Sequence, residues 1–266
     1  MSLLADAGIS AASGSRKLIS KAKGFPMEIL YLRDDDIPQA VAMGVADIGI
    51  VGLNEVSEKG EKVDEVMSLG FGACRISIAV PRETEYSATW LNGRRVATSY
   101  PHILAKYFAD NNISAEIHEI AGSVEIAPTV GMADAIFDIV SSGGTLIQNG
   151  LREVEQVFFS EAVLIATPSL PEEKLAEIDK LKFRLRSILD SRDMKYVLMN
   201  LPRTAVDEAV KILPGMKSPT LLPLTQPDWC SLHVVIPESE LWEKIELLKN
   251  IGAEDILILN LENIIR

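Results

Sequence analysis

The stretch ADAIFDIVSSGGTLIQNG, Ala133 to Gly150, decides how the rest of the chain is read. Its apolar run, Ala135 to Val140, is short and rich in Ile, Phe and Val, which favours a buried strand over a helix. The run stops at Ser141, Ser142, Gly143, Gly144 and Thr145, small residues with hydroxyls and unencumbered backbone N–H groups, and a helical pattern, Leu146 to Asn149, follows at once. Donors converging from a tight turn at a helix N-terminus suit a phosphate, because the helix dipole there also favours negative charge. Asp134 and Asp138 accompany the run, and an ionised carboxylate can accept from two neighbouring ribose hydroxyls. The pattern therefore points to a sugar phosphate. A Ser/Gly run in that position also serves as an ordinary capped turn, and spacing alone leaves both readings open.

Outward from this stretch, short strands alternate with helical patterns, as in βαβ units with a largely parallel sheet. Upstream, Met27–Leu32 reads as a strand that ends at Arg33, where ligands of open α/β sheets bind, and Asp36 before Ile37 and Pro38 reads as a helix N-cap. Gly49 and Gly52, in the strand Ala46–Val51 and just after it, would allow close approach of a ligand or another backbone. Arg16 and Lys17 sit in a Ser/Gly-rich turn, either as a solvated pair or as anion contacts. The polar stretch Pro81–Asn92 marks a break, so residues 93–160 are expected to form a second lobe inserted into a first lobe made of 1–92 with 161–193. Leu175, Ile178, Leu181, Leu185 and Leu189 mark one amphipathic helix. From residue 194 to 266 the order becomes βαββαβ, the ferredoxin-like pattern, expected to serve regulation or assembly.

Composition excludes several classes. A net charge of −12, from 26 basic and 38 acidic residues, disfavours nonspecific nucleic-acid or anionic-membrane binding; an anionic substrate would need a local basic patch and a divalent cation. With 47% hydrophobic and 24% charged residues, the chain is an ordinary globular one rather than a disordered one. No membrane span or secretory signal is evident, and Cys74 and Cys230 lack metal-ligand spacing, so buried thiols in the cytoplasm are expected. His102, His118 and His233 are dispersed and read as structural or exposed, and Trp229 with Trp242 as core.

Six ordered motifs, RDDDIPQAV (Arg33 to Val41), ADIGIVGLNE (Ala46 to Glu55), ATSYP (Ala97 to Pro101), GSVEIAP (Gly122 to Pro128), ADAIFDIVSSGGTL (Ala133 to Leu146) and LPGMKSPTLLPL (Leu213 to Leu224), resemble the long form of the ATP phosphoribosyltransferase family. The resemblance implies a two-lobed catalytic region of type II periplasmic-binding-protein architecture, followed by a ferredoxin-like histidine-sensing domain, in chains that assemble from homodimers into homohexamers. It implies attack of adenine N1 of ATP on C1 of 5-phosphoribosyl pyrophosphate, displacing pyrophosphate with Mg²⁺, as the first step of histidine biosynthesis with histidine as inhibitor. By family position, Ser141–Thr145 cradle the 5-phosphate, and Asp134 and Asp138 address ribose hydroxyls or hydrated Mg²⁺, with no direct protein ligand to the metal assigned. Glu125 lies nearby, Arg16, Arg33 and Arg95 are cationic candidates, and Ser99 and Tyr100 line the hinge side. Asn200, Ser218, Thr220 and Asp255 are the implied histidine contacts. The family ordinarily opens with a strand and a Gly-Arg-Leu turn ahead of the helix at Ser2, which this sequence does not show. Losing that strand would strip hydrogen bonds from lobe I, and the expectation is an internal start site or a catalytically weakened variant. The alternative activity is a two-lobed small-molecule-binding or regulatory subunit without catalysis.

Overall fold

The computed structural model describes residues 2–11, 18–87 and 89–266. They fall into two compact units, one built from Ile29–Lys174 and the other from Leu175–Arg266 with Ser20–Glu28 and residues 2–11.

At the start of the chain, α1 (Ser2–Asp6) precedes β1 (Ser10–Ala11) and β2 (Ile19–Lys23), and Ser10 stands opposite Lys23 in antiparallel pairing. After β3 (Glu28–Leu30), the Ile29–Lys174 unit runs through α2 (Ile37–Ala42), β4 (Ile48–Gly52), α3 (Leu53–Lys59) and β5 (Asp64–Ser68). It continues with β6 (Cys74–Pro81), β7 (Arg95–Thr98), α4 (Pro101–Asn111), β8 (Glu116–Glu119), β9 (Ala135–Val140), α5 (Gly144–Gln148), β10 (Leu151–Ser160) and β11 (Ala162–Ala166). The helices stop where the backbone turns left-handed: α3 at Gly60 (φ 61°) and α4 at Asn112 (φ 55°), residues that tolerate this region. Asp36 does not cap α2 with its side chain; it lies in a 3₁₀ turn, Asp34–Asp36, that feeds directly into the helix.

The strands form two sheets. Lobe I has three strands in the order β4-β11-β5, with β11 antiparallel to both neighbours. Lobe II has five, β10-β6-β9-β7-β8. There β7 is parallel to β8 and β9, and β6 is antiparallel to β9 and β10. The expected largely parallel sheet is thus confined to β8-β7-β9. The strands that pass between the lobes, β6 going out and β11 coming back, each insert against the local direction. A central strand β7 flanked by β8 and β9, then an antiparallel strand from outside the lobe, then β10, is the type II periplasmic-binding-protein arrangement.

This topology moves two expected boundaries. Cys74–Pro81, assigned by sequence to lobe I, is an inner strand of lobe II, with Ile76, Ile78, Ala79 and Val80 fully buried. The polar stretch Pro81–Asn92 is a loop within lobe II, not a boundary. The helix α6 (Glu172–Arg192), expected with lobe I, belongs from Leu175 onward to the other unit. The Ser187 hydroxyl meets Asn263 Oδ1 at 3.0 Å, Ser191 donates to the Glu262 carbonyl, and Asp190 pairs with Arg266 there.

The sheet of lobe II is covered on both faces, which is why β9 is apolar at every position but Asp138. Ala135 and Phe137 join one core with Leu104 and Phe108 of α4. Ile136 and Val140 join the opposite core with Val124, Ala127 and Leu146. In lobe I, Gly49 lets α2 lie close on β4, since a Cβ there would come within 2.6 Å of Ile37 Cγ2; of the two partners the sequence allowed, it is the helix that approaches.

The second unit continues with β12 (Met194–Pro202), α7 (Val206–Ile212), β13 (Thr220–Pro223), β14 (Trp229–Pro237), α8 (Leu241–Asn250) and β15 (Glu254–Asn260). The order β13-β14-β12-β15, antiparallel throughout, is the ferredoxin-like sheet the βαββαβ pattern predicts. Its core is Val197, Met199, Leu201, Leu232, Val234, Ile236, Leu241 and Leu248. Trp242, expected in this core, is 74% exposed on α8, and Cys74 is half-buried whereas Cys230 is buried.

Candidate active site

Parallel strands place their carboxyl ends together, and in lobe II this gathers several of the candidate side chains. Thr98 of β7 stands opposite Phe137 of β9 and Glu119 of β8, so the residues that follow each strand converge at one sheet edge. Beyond β7 come Ser99 and Tyr100. Beyond β8 the chain doubles back through Gly122 (φ 81°) and Ser123 (φ 50°) into a short turn, Val124–Ile126, that carries Glu125. Near the end of β9 is Asp138, followed by the turn Ser141–Thr145 and α5. The Ser99 hydroxyl donates to the Ile120 carbonyl at 2.7 Å and ties the ends of β7 and β8.

The turn needs its glycine: Gly143 precedes α5 with φ 78°, a conformation that other residues adopt only at a cost. Ser141, Ser142, Gly144 and Thr145 are exposed there. Asp138 lies on the same sheet face as the turn and is half-buried; its Oδ1 accepts the Ile139 N–H at 2.8 Å. Burial pushes its carboxyl above the usual range, partly offset by that bond, and the Glu125 charge adds to the rise.

Asp134 and Arg95 are placed elsewhere. Asp134 precedes β9 while Ser141 follows it, so the six residues of that strand set them about 20 Å apart. Asp134 is held by Arg95: the Arg95 N–H donates to Asp134 Oδ2 at 2.9 Å, and Arg95 Nε lies 3.4 Å from the same oxygen. These bonds lower the Asp134 pKa. The structure therefore corrects the expectation that Asp134 joins Asp138 at the turn and that Arg95 faces the phosphates. Arg33 is 83% exposed beside Asp35, and Arg16 lies outside the described residues.

Sequence reasoning missed a buried polar network where the two lobes meet. Asn54, Glu55 and Glu58 lie on α3, all buried. Asn54 Nδ2 donates to Glu55 Oε1 at 2.9 Å, and the Tyr100 hydroxyl donates to the same oxygen at 3.3 Å. Ser160, at the end of β10, donates to Asn54 Oδ1 and accepts from the Asn54 N–H. Burial raises the Glu55 pKa, with Asp34 and Asp35 adding to it. Burial, with Glu55 and Asp138, raises that of Tyr100, which stays protonated. Glu58 accepts the N–H groups of His102 and Ile103 at 2.9 and 3.0 Å, so a side chain from lobe I caps the first turn of α4 in lobe II.

Residues 33–187 match the family model described as ATP phosphoribosyltransferase, and residues 191–263 match the one described as HisG, C-terminal domain. The chain belongs to the ATP phosphoribosyltransferase family. It is 53% identical to the ATP phosphoribosyltransferase of Parabacteroides distasonis and 50% identical to that of Bacteroides thetaiotaomicron, in each case over 100% of this chain and 94% of the relative. A solved ATP phosphoribosyl transferase (HisG:HisZ) complex from Thermotoga maritima shares the fold, with TM-score 0.63 at 24% identity over 71% of this chain and 92% of that one. ATP phosphoribosyltransferase performs the first step of histidine biosynthesis on ATP and 5-phosphoribosyl pyrophosphate.

ATP phosphoribosyltransferases are metal-dependent. Among the described residues no three His, Cys, Asp or Glu side chains converge to hold a metal ion. The donors there fit a different mode: Asp138 and Glu125 offer one or two carboxylates beside the Ser141–Thr145 turn, which would suit a hydrated divalent ion carried by the phosphates of a ligand. Glu125 and Asp138 make that edge acidic, so an anionic ligand there would need such a counter-charge.

In the C-terminal domain, Asn200 Nδ2 donates to Asp255 Oδ2 at 3.1 Å, and Asp255 adopts φ 48°. Thr220 pairs with His233 on β14, and β14 separates it from Asn200 on β12, about 10 Å across the sheet. The structure thus brings together two of the four implied histidine contacts. His233 Nδ1 is 2.7 Å from the Tyr196 hydroxyl. No helix of the described residues is long and apolar enough to cross a membrane.

Proposed function

We propose that the joined ends of β7, β8 and β9 bind 5-phosphoribosyl pyrophosphate, with Ser141–Thr145 around its 5-phosphate and Asp138 on the ribose hydroxyls. The observation that carries this is the convergence of Tyr100, Glu125, Asp138 and the Gly143 turn at one sheet edge. Hydroxyls and backbone N–H groups of an exposed turn before a helix are donors for a phosphate, and a carboxylate is the matching acceptor for sugar hydroxyls. Asp138 and Glu125 would face the hydration shell of a Mg²⁺ ion carried by the substrate, which would supply charge neutralisation to the departing pyrophosphate. Adenine N1 of ATP attacks C1, and because N1 carries no proton to remove, no general base is assigned. The protein's part is alignment: Asp138 fixes the ribose, Tyr100 stays neutral beside Glu55 at the lobe junction, and the exposed Arg33 is a candidate for an ATP phosphate.

The test is Asp138→Asn. KM for 5-phosphoribosyl pyrophosphate should rise by at least about tenfold, the scale of a lost charge-assisted hydrogen bond, with KM for ATP little changed. Unchanged kinetics would remove the ribose from Asp138.

For the C-terminal domain the proposed ligand is histidine, with Asp255 facing its ammonium group and Asn200 serving as donor or acceptor beside it. Asn200→Ala should weaken histidine inhibition without altering basal turnover; equal loss of both would place the sensor elsewhere. The exposed Leu257 and Leu259 on β15 support self-association into dimers and hexamers, read by light scattering with and without histidine, in a cytoplasmic enzyme.

A further inference from the structure

Arg75 was not singled out by any motif, yet it touches the phosphate turn. It lies on β6 opposite Val140, the last residue of β9, and its Nη1 donates to the Ser141 carbonyl at 3.2 Å. Ser141 is the first residue beyond the ladder, where strand pairing no longer fixes the backbone. The rest of the guanidinium is engaged by Glu153 of β10: Nε meets Oε1 at 2.5 Å and Nη2 meets Oε2 at 2.6 Å. The Ser77 hydroxyl, next to Asp138 in the β6–β9 register, donates to Glu153 Oε1 at 2.7 Å and fixes the carboxylate in turn. Both partners of the ion pair are about three-quarters buried, with side chains 25% and 22% exposed. Three adjacent strands of lobe II, β10, β6 and β9, therefore aim one guanidinium at one carbonyl.

We propose that Arg75, held by Glu153, is a positioning residue for 5-phosphoribosyl pyrophosphate: it locks the plane of the Ser141–Ser142 peptide and so points the following N–H groups at the 5-phosphate. The proposal rests on the reading of Ser141–Thr145 as the phosphate turn. A rigid turn loses little freedom when the anion arrives, which is where preorganisation contributes affinity. The role requires a planar fork. One edge of the guanidinium, Nε with Nη2, grips Glu153 while Nη1 reaches the carbonyl, whereas a lysine ammonium is a compact point charge that cannot span both in this geometry.

The experiment measures kcat, KM for each substrate and Tm for Arg75→Met, Arg75→Lys, Glu153→Gln and the Arg75→Met/Glu153→Gln double variant. Thr145→Val serves as a probe of the turn itself. Expected is a rise of about five- to tenfold in KM for 5-phosphoribosyl pyrophosphate in both Arg75 variants, with KM for ATP within about twofold. Glu153→Gln should move the same constant in the same direction, and the double variant should be no worse than Arg75→Met alone, since the residues act as a unit. A lysine that restores KM, or variants that lower Tm and raise both KM values alike, would overturn the positioning role. If Thr145→Val raises KM for the sugar phosphate and the Arg75 variants do not, only this inference falls. If Thr145→Val also leaves it unchanged, the turn reading falls, and this inference falls with it.

Discussion

Asp138 is tuned against stability. Burial lifts its carboxyl above the ordinary aspartate range, so the native state holds a proton more tightly than the unfolded chain, and stability declines as pH rises from about 3.9 through the folded value. Ionised Asp138 is a standing cost at neutral pH. The same Asp138→Asn variant that is proposed to lose sugar-phosphate affinity should therefore melt a few degrees higher at neutral pH, because asparagine Oδ1 can still accept the Ile139 N–H; a lower Tm would contradict the assignment of burial as the cause. Glu153 behaves in the opposite sense. Arg75 beside it holds its carboxyl below the usual range, so its contribution is present above about pH 4.3 and lost as pH falls through the folded value. The Tm difference between the native chain and Glu153→Gln should shrink between about pH 6 and about pH 3, and a difference constant over that range would mean the pair contributes by packing alone.

At the scale of elements, the most economical device is the cap that α4 takes from α3. Glu58 is only 7% exposed, while His102, whose ring nitrogen lies 3.0 Å from it, is 78% exposed. Glu58→Ala should cost about 1–2 kcal/mol, the range for a lost helix cap, seen as a lower denaturation midpoint at unchanged m value. The contrast between this cap and the Ser141–Thr145 turn explains what the sequence could reveal. Asp138, Ser141–Thr145 and α5 are one continuous strand, turn and helix, and local pattern suffices to find them. Glu58 reaches Ile103 across 45 positions, Ser160 reaches Asn54 across 106, and Arg75 reaches Ser141 across 66. Nothing within a short window marks such residues, because their roles are set by which strands become neighbours. Asp134 is different: a residue ahead of a strand lies at the opposite edge from one after it, so its separation from the turn was implicit in the order of the chain.

For the molecule as a whole, the ferredoxin-like domain was legible because its six elements follow one another in the order βαββαβ without interruption. The lobe boundary was not, because β6 joins its sheet through register with β9 and β10, while the polar loop after it resembles a linker. Residues 93–160 alone would lack an inner strand and leave the edge of β9 unpaired. A fragment from Cys74 to Ser160 is expected to melt cooperatively, whereas 93–160 should show no transition by circular dichroism. Cys74 stands directly opposite Ser160 in the β6–β10 pairing, so the two ends of that fragment lie about 5 Å apart. Lobe II enters and leaves its host through a single doorway. A module with adjoining ends can be excised and spliced into another protein's surface loop, or closed into a ring by a short linker, without rerouting the chain, which offers a route to transplanting the proposed sugar-phosphate half of the site as one piece.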